Sequence, residues 1–325
     1  MKIPSLNSQE VRDPGKVCGC HVGKAVYGMS DALVTVVVPS FNRASKIEGA
    51  LRSIQRQTCP YWEAVVVDDG SVDDSADKVA QLAREDPRIR LIRHRYNRGA
   101  QAARNTGIDA ARTKWIAFLD SDDEWLPESL ELRLDAAERG GLGVVHTGAY
   151  IIRENGDKSL YEVPATQGWV HTELLKRHGP MFQGLLVAKE ALAKIGGLDE
   201  RIVALQEWDT SIRLAEHFRF GFLAAPTFIW DCRGSDTMTK DRRRDAMGYE
   251  QVVSKHFFSM LRTGPETLLI HYRKLAQRYA NADAKADLCR IRLYARFWQL
   301  AGAPTRALKN IRKGLTPLGN VHSSI

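Results

Sequence analysis

The sequence has no apolar run approaching the roughly 18 residues that a helix needs to cross a bilayer, so no transmembrane helix is predicted. Its first 16 residues also lack the apolar core of a secretory signal. Cysteine is scarce: five are scattered over 325 residues, an odd number that favours free thiols in a reducing compartment. These absences together predict a cytoplasmic protein.

Several catalytic and binding signatures are missing as well. No Gly-x-x-x-x-Gly-Lys-Ser/Thr stretch occurs, which excludes a P-loop enzyme. No Gly-x-Ser-x-Gly elbow occurs, which argues against a hydrolase that works through a covalent serine intermediate. The net charge is +8, yet no recognised nucleic-acid-binding motif accompanies it, so nucleic acid is not an expected partner.

The composition that remains is typical of a globular chain, with 44% hydrophobic and 26% charged residues. The length favours one large domain with an appendage. The positive charge is unevenly distributed, because Ile270–Lys313 holds eleven Lys or Arg and only two acidic residues. The rest of the chain is close to neutral, so the excess says little about what the main domain binds.

Apolar, β-branched runs alternate with segments of helical periodicity through the first half of the chain. Buried strands are predicted at Leu33–Val38, Trp62–Val67, Ile89–Ile92, Trp115–Leu119 and Val144–His146. Helices are predicted at Lys46–Gln57, Ser75–Arg84, Ala100–Ala111 and from Pro127 to about Glu138. Such alternation predicts an α/β sheet covered by helices on both faces.

The second half is less regular. A turn at Glu154–Asp157 lies between Tyr150–Ile152 and Tyr161–Val163, which predicts a hairpin. Gln206–Glu216 has helical spacing, and Phe218–Trp230 is strand-like. Beyond residue 240 the pattern changes to basic amphipathic helices, so a domain boundary is predicted there.

The N-terminal residues 1–31 are polar and aperiodic, which predicts a flexible arm. They contain Cys18, Cys20 and His21, three side chains able to bind a metal. A structural zinc site takes four ligands and no second pair lies nearby, so loose thiols are the favoured interpretation.

Acidic side chains follow two of the buried strands. Asp68 and Asp69 follow one strand, and Asp120 and Asp122 follow another. Ligands of open α/β sheets bind beyond the carboxyl ends of the strands, so both groups should face one crevice. Their mutual repulsion favours a hard divalent ion, which Asp120-x-Asp122 would hold for a nucleotide diphosphate.

The alternative is that acidic residues after strands are turn formers and helix N-caps. It applies most directly to the neighbouring acidic residues Asp73, Asp74 and Asp123.

Three further segments should face the same crevice. Pro39–Arg43 follows the first strand and offers an aromatic ring and a cation. Asn97–Gly99 and the pair Arg104 and Asn105 lie between the third and fourth strands and suit contacts with phosphates or a base. The alternative for Arg98 and Arg104 is a solvated helix end.

Four ordered blocks resemble the family 2 glycosyltransferases, namely VTVVVPSFNR, VVVDDGSVDDS, NRGAQAARNTGI and WIAFLDSDDEWLP. They span Val34 to Pro127, and the likeness extends more weakly to residue 240. It implies a GT-A-like fold with a mixed, mainly parallel central sheet flanked by helices. It also implies a nucleotide-binding half at 32–147 and an acceptor half at 148–240. A basic helical extension, 241–325, would then follow.

The resemblance also implies an activity: transfer of a sugar from a nucleotide-diphosphate sugar to an acceptor hydroxyl, with inversion. A UDP-sugar is the favoured donor. The implied acceptor is a saccharide or a lipid-linked sugar, used in cell-surface polysaccharide or glycoconjugate synthesis.

The likeness assigns roles to individual residues. Phe41 would stack on the nucleobase, Pro39 and Ser40 would shape its pocket, and Asp69 would accept a hydrogen bond from the base edge. Asp120 would lie near the ribose and the metal, and Asp122 would bind Mn²⁺ or Mg²⁺ directly. Three more residues complete the predicted nucleotide-sugar site: Arg43, Asn97 and Arg104.

The catalytic base is implied at Glu207, which falls where relatives usually have an aspartate. Glutamate keeps the carboxylate and adds a methylene, which alters its reach. Asp209 is the rival, although its family counterpart more often begins a helix.

A second departure lies at Trp230–Thr239, where many relatives carry a histidine and this chain has none. Arg233 is the candidate replacement. These two departures keep open a non-catalytic nucleotide-sugar-binding module. A glycoside hydrolase would explain the carboxylates but not the Asp-x-Asp or Pro-Ser-Phe segments.

The basic tail has two interpretations. Apolar residues recur at helical spacing from Leu268 to Leu308 with Lys and Arg between them. The favoured interpretation is a set of helices packed on the catalytic domain with a solvated basic face. The other is a peripheral contact with the inner face of the membrane, near a lipid-linked acceptor.

Overall fold

The computed structural model describes residues 32–233 and 241–301. The N-terminal arm with Cys18, Cys20 and His21, and the last part of the tail from residue 302, therefore lie outside the described residues. One mixed sheet runs through the described part, in the order β3-β2-β1-β4-β8-β6-β9-β5, with β7 paired to β6.

The strands are β1 (Val34–Ser40), β2 (Trp62–Asp68), β3 (Ile89–Arg93), β4 (Trp115–Phe118), β5 (Glu124–Trp125), β6 (Val144–Ile152), β7 (Lys158–Tyr161), β8 (Leu186–Ala188) and β9 (Phe220–Asp231). The helices are α1 (Ile47–Gln55), α2 (Ser75–Glu85), α3 (Ala100–Ala110), α4 (Ser129–Gly140), α5 (His171–Leu174), α6 (Lys189–Lys194), α7 (Gln206–Ala215), α8 (Arg242–Lys255), α9 (Phe257–Arg262), α10 (Pro265–Asn281) and α11 (Lys285–Ala301). A 3₁₀ helix spans Phe182–Gly184.

The first half of the sheet is parallel, because β3, β2, β1 and β4 pair in the same direction. All seven residues of β1 are buried, as its valine-rich sequence predicts for a strand covered on both faces. The parallel arrangement brings the carboxyl ends of β1, β2 and β4 to one edge. The predicted alternation of strands and helices is confirmed in this half.

The second half is mixed: β8 is antiparallel to β4 and β6, while β9 is parallel to β6. The predicted hairpin is present between β6 and β7, but its second strand is Lys158–Tyr161 rather than Tyr161–Val163. The two short strands predicted within 144–152 are one strand whose register shifts around Gly148. The two-residue strand β5 was not predicted, since so short a segment has no periodicity.

The helices of the C-terminal part pack against the rest of the chain. Their apolar side chains, including Tyr249, Leu268 and Leu275, belong to the same buried cluster as the sheet residues. His271 on α10 donates from Nε2 to the carbonyl of Leu175 at 2.8 Å. Among the helices that the structure describes, none is both long and apolar enough to span a membrane.

Candidate active site

Most of the predicted site residues lie around a crevice at the carboxyl ends of the parallel strands. The Asp69 backbone N–H donates to the Ser40 carbonyl at 2.8 Å, and the Leu119 N–H donates to Val37 at 3.2 Å. The turns after β1, β2 and β4 are therefore adjacent, and the two acidic groups face one space as expected.

Asp69 holds the loop that leads into α3. Its Oδ1 accepts from the Arg98 N–H at 2.9 Å and contacts His94 Nδ1 at 2.7 Å, and its Oδ2 accepts from the Gly99 N–H at 2.7 Å. A carboxylate offers about four acceptor positions. Three are used within the part of the chain that the structure describes, which leaves room at Oδ2 for one further donor.

Gly70 permits the close approach of this loop. Its φ is +79°, and a Cβ there would lie 2.7 Å from the Tyr96 carbonyl carbon. Only glycine accommodates both the left-handed backbone and the contact. Asn97, one of the predicted nucleotide contacts, is exposed on this loop.

Arg104 is buried and faces the acidic cluster. Its guanidinium donates to Asp120 Oδ1 at 2.6 Å and to Gln101 Oε1 at 2.9 Å, and it lies 4.5 Å above the ring of Phe182. A solvated helix end is therefore the wrong interpretation for Arg104, because α3 packs on the sheet and turns this face inward. Arg98, in contrast, is exposed, 3.8 Å from Glu200.

Gln183 joins two carboxylates and was not predicted from the sequence. Its Nε2 donates to Asp120 Oδ2 at 2.8 Å and to Asp123 Oδ2 at 2.6 Å. The carbonyl of Gln183 accepts from Trp125 Nε1 at 2.9 Å and from the buried Arg133 at 3.2 Å. A lone glutamine in an irregular segment carries no sequence signal, so only the fold identifies it.

Asp122 and Asp120 are the partly exposed carboxylates of the turn after β4, with 21% and 28% of their side chains exposed. Burial and the neighbouring charge of Asp120 raise the pKa of Asp122, while Arg43 and Lys46 pull the pKa down. Arg43 Nε lies 3.6 Å from Asp122 Oδ2, so the cation after β1 meets the acidic turn after β4. The sequence predicted both residues but not their contact.

Asp123 is buried and structural. Its Oδ1 accepts from the Asp231 N–H at 3.0 Å, which ties the acidic turn to the end of β9. Burial first, then the charges of Asp120 and Asp122, raises its pKa well above the ordinary value. Asp73 is structural too, because it accepts from the N–H groups of Ala44 and Ser75 at 3.0 Å.

The donor set suits a hard divalent ion completed from outside the protein. Within the described residues, no group of three or more His, Cys, Asp or Glu side chains could enclose a metal. Mg²⁺ needs only one or two carboxylates when phosphate oxygens and water fill its other positions. Asp122 offers such a carboxylate. The negative charge of Asp120 raises the pKa of Asp122, and a bound cation would offset the repulsion between the two carboxylates.

Phe41 directly follows β1 and has 41% of its surface exposed, so its ring is accessible for stacking. Pro39 and Ser40 are buried at the end of β1 beneath it. The Ser40 Oγ is buried and has no hydrogen-bond partner among the described residues. These positions agree with a nucleobase pocket built from the Pro39–Phe41 segment.

Glu207 and Asp209, the two rival bases, differ sharply in their surroundings. Glu207 is half-buried at the start of α7, and burial raises its pKa, with Arg104 lowering it and Asp120 raising it. Both of these charged neighbours belong to the crevice. Glu207 therefore lies within electrostatic reach of the acidic cluster.

Asp209 instead contacts two cations and a histidine. Its carboxylate contacts His256 Nε2 at 2.8 Å, Arg213 Nε at 3.0 Å and Lys255 Nζ at 2.8 Å. Although burial raises its pKa, these hydrogen bonds and charges bring the pKa below its ordinary value. The arrangement fastens α7 to the end of α8 and leaves Asp209 little freedom to accept a proton from a substrate.

The stretch without a histidine is only partly described. Arg233 pairs with Asp231, Nε to Oδ1 at 3.0 Å, and its carbonyl accepts from Lys46 Nζ at 3.2 Å. It therefore lies near the cations that surround Asp122. The following Ser-Asp-Thr-Met-Thr stretch lies outside the described residues.

Comparison with known proteins shows which family and which structures this chain is similar to. Residues 35–184 match the family described as Glycosyl transferase family 2. The chain is 34% identical over 151 residues to UDP-Glc:alpha-D-GlcNAc-diphosphoundecaprenol beta-1,3-glucosyltransferase WfgD of Escherichia coli, covering 46% of this chain and 58% of WfgD. It is 33% identical over 144 residues to the putative teichuronic acid biosynthesis glycosyltransferase TuaG of Bacillus subtilis. This match covers 44% of this chain and 57% of TuaG. The chain thus spans little more than half of each relative.

Solved structures show the same fold. Staphylococcus aureus TarS 1–349 in complex with UDP-GlcNAc aligns with a TM-score of 0.58 at 16% identity, over 89% of this chain and 94% of TarS. The mannosyltransferase PcManGT of Pyrobaculum calidifontis, in complex with GDP-Man and Mn²⁺, aligns with a TM-score of 0.57 at 21% identity. The alignment covers 86% of this chain and 87% of PcManGT. The expected GT-A-like fold with added C-terminal helices is therefore confirmed.

Proposed function

Since residues 35–184 form a family 2 glycosyltransferase domain, we propose that this chain transfers a sugar from a UDP-sugar to the hydroxyl of a lipid-diphosphate-linked saccharide, with inversion. The WfgD name pairs a UDP-sugar with a diphospholipid-linked acceptor. TuaG is named for teichuronic acid synthesis, which supports a role in cell-surface polysaccharide assembly. The observation that carries the proposal is that Arg104 and Asp120, which form an ion pair beyond the ends of the parallel strands, are close enough to Glu207 for their charges to shift its pKa.

The proposed donor site lies in the half formed by residues 32–147. Phe41 stacks on the base, and Asp69 accepts a hydrogen bond from the edge of the base. The Ser40 hydroxyl hydrogen-bonds to the same edge, and Asn97 borders the base pocket. Arg104 orients Asp120 towards the ribose through their 2.6 Å contact. These side chains lie at the ends of parallel strands, on the loop that Asp69 holds or, for Arg104, on α3.

A divalent ion, Mn²⁺ or Mg²⁺, would be held by Asp122 with Asp120 beside it, and would supply Lewis-acid stabilisation of the leaving diphosphate. Arg43 and Lys46 border the same carboxylate and lower its pKa. They are therefore placed to balance charge where the diphosphate departs.

Glu207 accepts the proton of the attacking hydroxyl in this mechanism. Burial raises the pKa of Glu207, which makes its carboxylate a stronger proton acceptor. Direct attack from the face opposite the leaving group inverts the anomeric carbon, and no protein nucleophile is needed. The acceptor is expected in the half formed by residues 148–240, next to Glu207.

The test is UDP release from UDP-glucose and UDP-GlcNAc with a short-chain lipid-diphosphate GlcNAc acceptor. Glu207→Gln should lower kcat by about 10²–10⁴-fold while UDP affinity is unchanged, because it removes only a proton acceptor. Asp209→Asn is the matched variant and should lower the melting temperature instead. If Glu207→Gln retains wild-type kcat, Glu207 is not the base. If the wild type binds UDP but transfers nothing to any acceptor, the chain is a nucleotide-sugar-binding module.

A peripheral membrane contact is proposed for α11. Leu293, Phe297 and Leu300 recur on one face of this helix, and all three are exposed. We call them the α11 stripe. Arg292 and Arg296 lie beside the stripe, an arrangement that suits a bilayer surface with anionic lipid. The free thiols of Cys59, Cys232 and Cys289, together with the proposed lipid-linked acceptor, support a contact at the cytoplasmic face of the membrane.

Co-sedimentation with phosphatidylglycerol vesicles tests the membrane contact. Replacing the three apolar residues of the α11 stripe with serine should abolish sedimentation at low salt. Leu160→Ser removes an equally exposed apolar side chain from β7 and should have no effect. Absence of wild-type sedimentation would contradict the proposal.

A further inference from the structure

An open pocket of about 690 Å³ lies between the start of α8, α10 and the loop that carries His178. Its volume is within the range of ligand sites, which is roughly 300–1,000 Å³. The residues around it are largely polar or charged: His178, Arg242, Asp245, Lys274, Gln277 and Arg278, with Asn281. None of them was predicted as a site residue from the sequence. We call this space the α8–α10 pocket.

The pocket has an excess of positive charge. Arg278 forms an ion pair with Asp245 and lies 4.6 Å from the ring of Tyr249, so its charge is balanced and its position is fixed. Arg242 donates to the Asn281 carbonyl at 3.3 Å, which leaves other guanidinium hydrogens for a ligand. The Lys274 ammonium has no hydrogen bond or ion pair with any residue in the described ranges. Two cations therefore remain for an anion.

One wall of the pocket packs against α7, the helix that carries the proposed catalytic base. The His178 ring, which lines it, lies 4.7 Å from the ring of Trp208, and Trp208 follows Glu207 in α7. Asp245, which also lines the pocket, is close enough to Glu207 for its charge to raise the pKa of that carboxyl. An acceptor whose hydroxyl reaches Glu207 would have to extend past α7 for its far end to enter this pocket.

We propose that the α8–α10 pocket binds the diphosphate group of the acceptor, with Arg242 and Lys274 as its cationic contacts. The inference rests on the proposed function for the identity of the acceptor, but the anion site itself does not depend on it. A diphosphate carries several negative charges and many acceptor oxygens, which an arginine and a lysine match. His178 is neutral near pH 7, since burial lowers its pKa to about 3, and it adds a hydrogen-bonding ring without competing charge.

This assignment gives the C-terminal helices a role in acceptor choice. A diphosphate-linked sugar would gain two cationic contacts that a free saccharide lacks. The pocket would then discriminate acceptors by the anion at their reducing end, while Glu207 acts at the hydroxyl. Arg242 and Lys274 would be specificity residues and would have no part in the chemical step.

The first test is calorimetric titration with inorganic pyrophosphate in EDTA, where no divalent ion can bridge pyrophosphate to Asp122. The double variant Arg242→Ala/Lys274→Ala should weaken binding at least tenfold. The control Arg243→Ala/Arg273→Ala removes the same charge from adjacent positions of α8 and α10 that do not line the pocket. It should bind within twofold of the wild type. Equal affinity in all three proteins, or equal loss in both variants, would overturn the site.

The second test separates acceptor diphosphate from a free anion. In the transfer assay, the Arg242→Ala/Lys274→Ala variant should raise the acceptor KM at least tenfold with kcat and the donor KM retained. Pyrophosphate should compete with the acceptor. Pyrophosphate binding without competition would show a free-anion site and overturn the acceptor assignment. Failure of the wild type to transfer any sugar would contradict the proposed function, while the titration in EDTA would still decide the anion site.

Discussion

Gln183 shows how one uncharged side chain can organise an acidic cluster. Its amide nitrogen donates one hydrogen to Asp120 and the other to Asp123, which keeps two carboxylates in fixed positions despite their repulsion. A hydrogen bond to a charged group contributes about 1.5–3 kcal/mol. The glutamine itself is held from behind, because Trp125 and the buried Arg133 bind its carbonyl.

Gln183→Leu should therefore weaken Mn²⁺-dependent UDP binding by about tenfold or more, the equivalent of one such hydrogen bond. Gln57→Leu is the control, since Gln57 is equally buried and donates to the carbonyls of Ser53 and Leu126 outside the crevice. It should lower the melting temperature and leave UDP affinity unchanged. Titration calorimetry measures both, and equal UDP affinity in the two variants would contradict the role of Gln183.

The sequence could predict the candidate carboxylates but not their exposure or their ion pairs. Asp69, Asp120, Asp122, Glu207 and Asp209 were all selected from motif position alone. Which of them is open, buried or in contact with cations depends on residues distant in sequence, such as the Lys255 that contacts Asp209. The residues that only the fold revealed, Gln183 above all, act through contacts that have no local pattern.

At the scale of elements, α3 positions Arg104 only because it lies unusually close to β1. A Cβ at Gly107 would overlap Cγ1 of Val37, so the helix can approach the strand only with glycine at this point. Gly107→Ala should destabilise the protein by about 1–3 kcal/mol, the usual cost of overpacking.

The matched control is Gly49→Ala in α1, where the nearest atom to an added Cβ is 3.4 Å away. It should be neutral or stabilising by up to about 1 kcal/mol, because alanine is the better helix former. Urea unfolding of the two variants compares them directly. Equal free energies of unfolding would show that α3 has room to move, contrary to the packing described above.

The elements that could be predicted share strong local patterns. β1 and β2 are continuous apolar runs, and α1 and α2 have clear apolar stripes, so their type follows from sequence. The strand β5 and the 3₁₀ helix at Phe182–Gly184 are only two and three residues long. β5 is held by its pairing with β9, and the 3₁₀ helix is held by the hydrogen bonds of Gln183 to Asp120 and Asp123. These contacts join segments that are distant in sequence, so local periodicity cannot predict them.

For the whole molecule, the buried histidines His146 and His271 and the partly buried His178 make stability depend on pH. Burial lowers the pKa of His146 and His271 to about 4 and that of His178 to about 3, from 6.5. Between pH 6.5 and 4 the unfolded chain binds protons that the folded chain does not, so stability falls as pH falls.

The melting temperature should therefore drop between pH 7 and pH 5, by several degrees. His146→Gln keeps a side-chain donor for the Thr166 carbonyl, which His146 Nε2 contacts at 2.8 Å, and removes the titrating group. Its melting temperature should vary less steeply with pH than that of the wild type. A wild-type melting temperature that is constant or rises on acidification would contradict this account.

The central claim is that the crevice beyond β1, β2 and β4 is a metal-dependent nucleotide-sugar site. The most direct measurement is the melting temperature with UDP, GDP, CDP and dTDP, each with and without Mn²⁺, for the wild type, Asp122→Asn and the hairpin control Asp157→Asn. We predict that UDP with Mn²⁺ raises the melting temperature of the wild type and of the control. In Asp122→Asn this increase should be absent. If no nucleotide stabilises the wild type with Mn²⁺, or if Asp122→Asn is stabilised equally, the claim is contradicted.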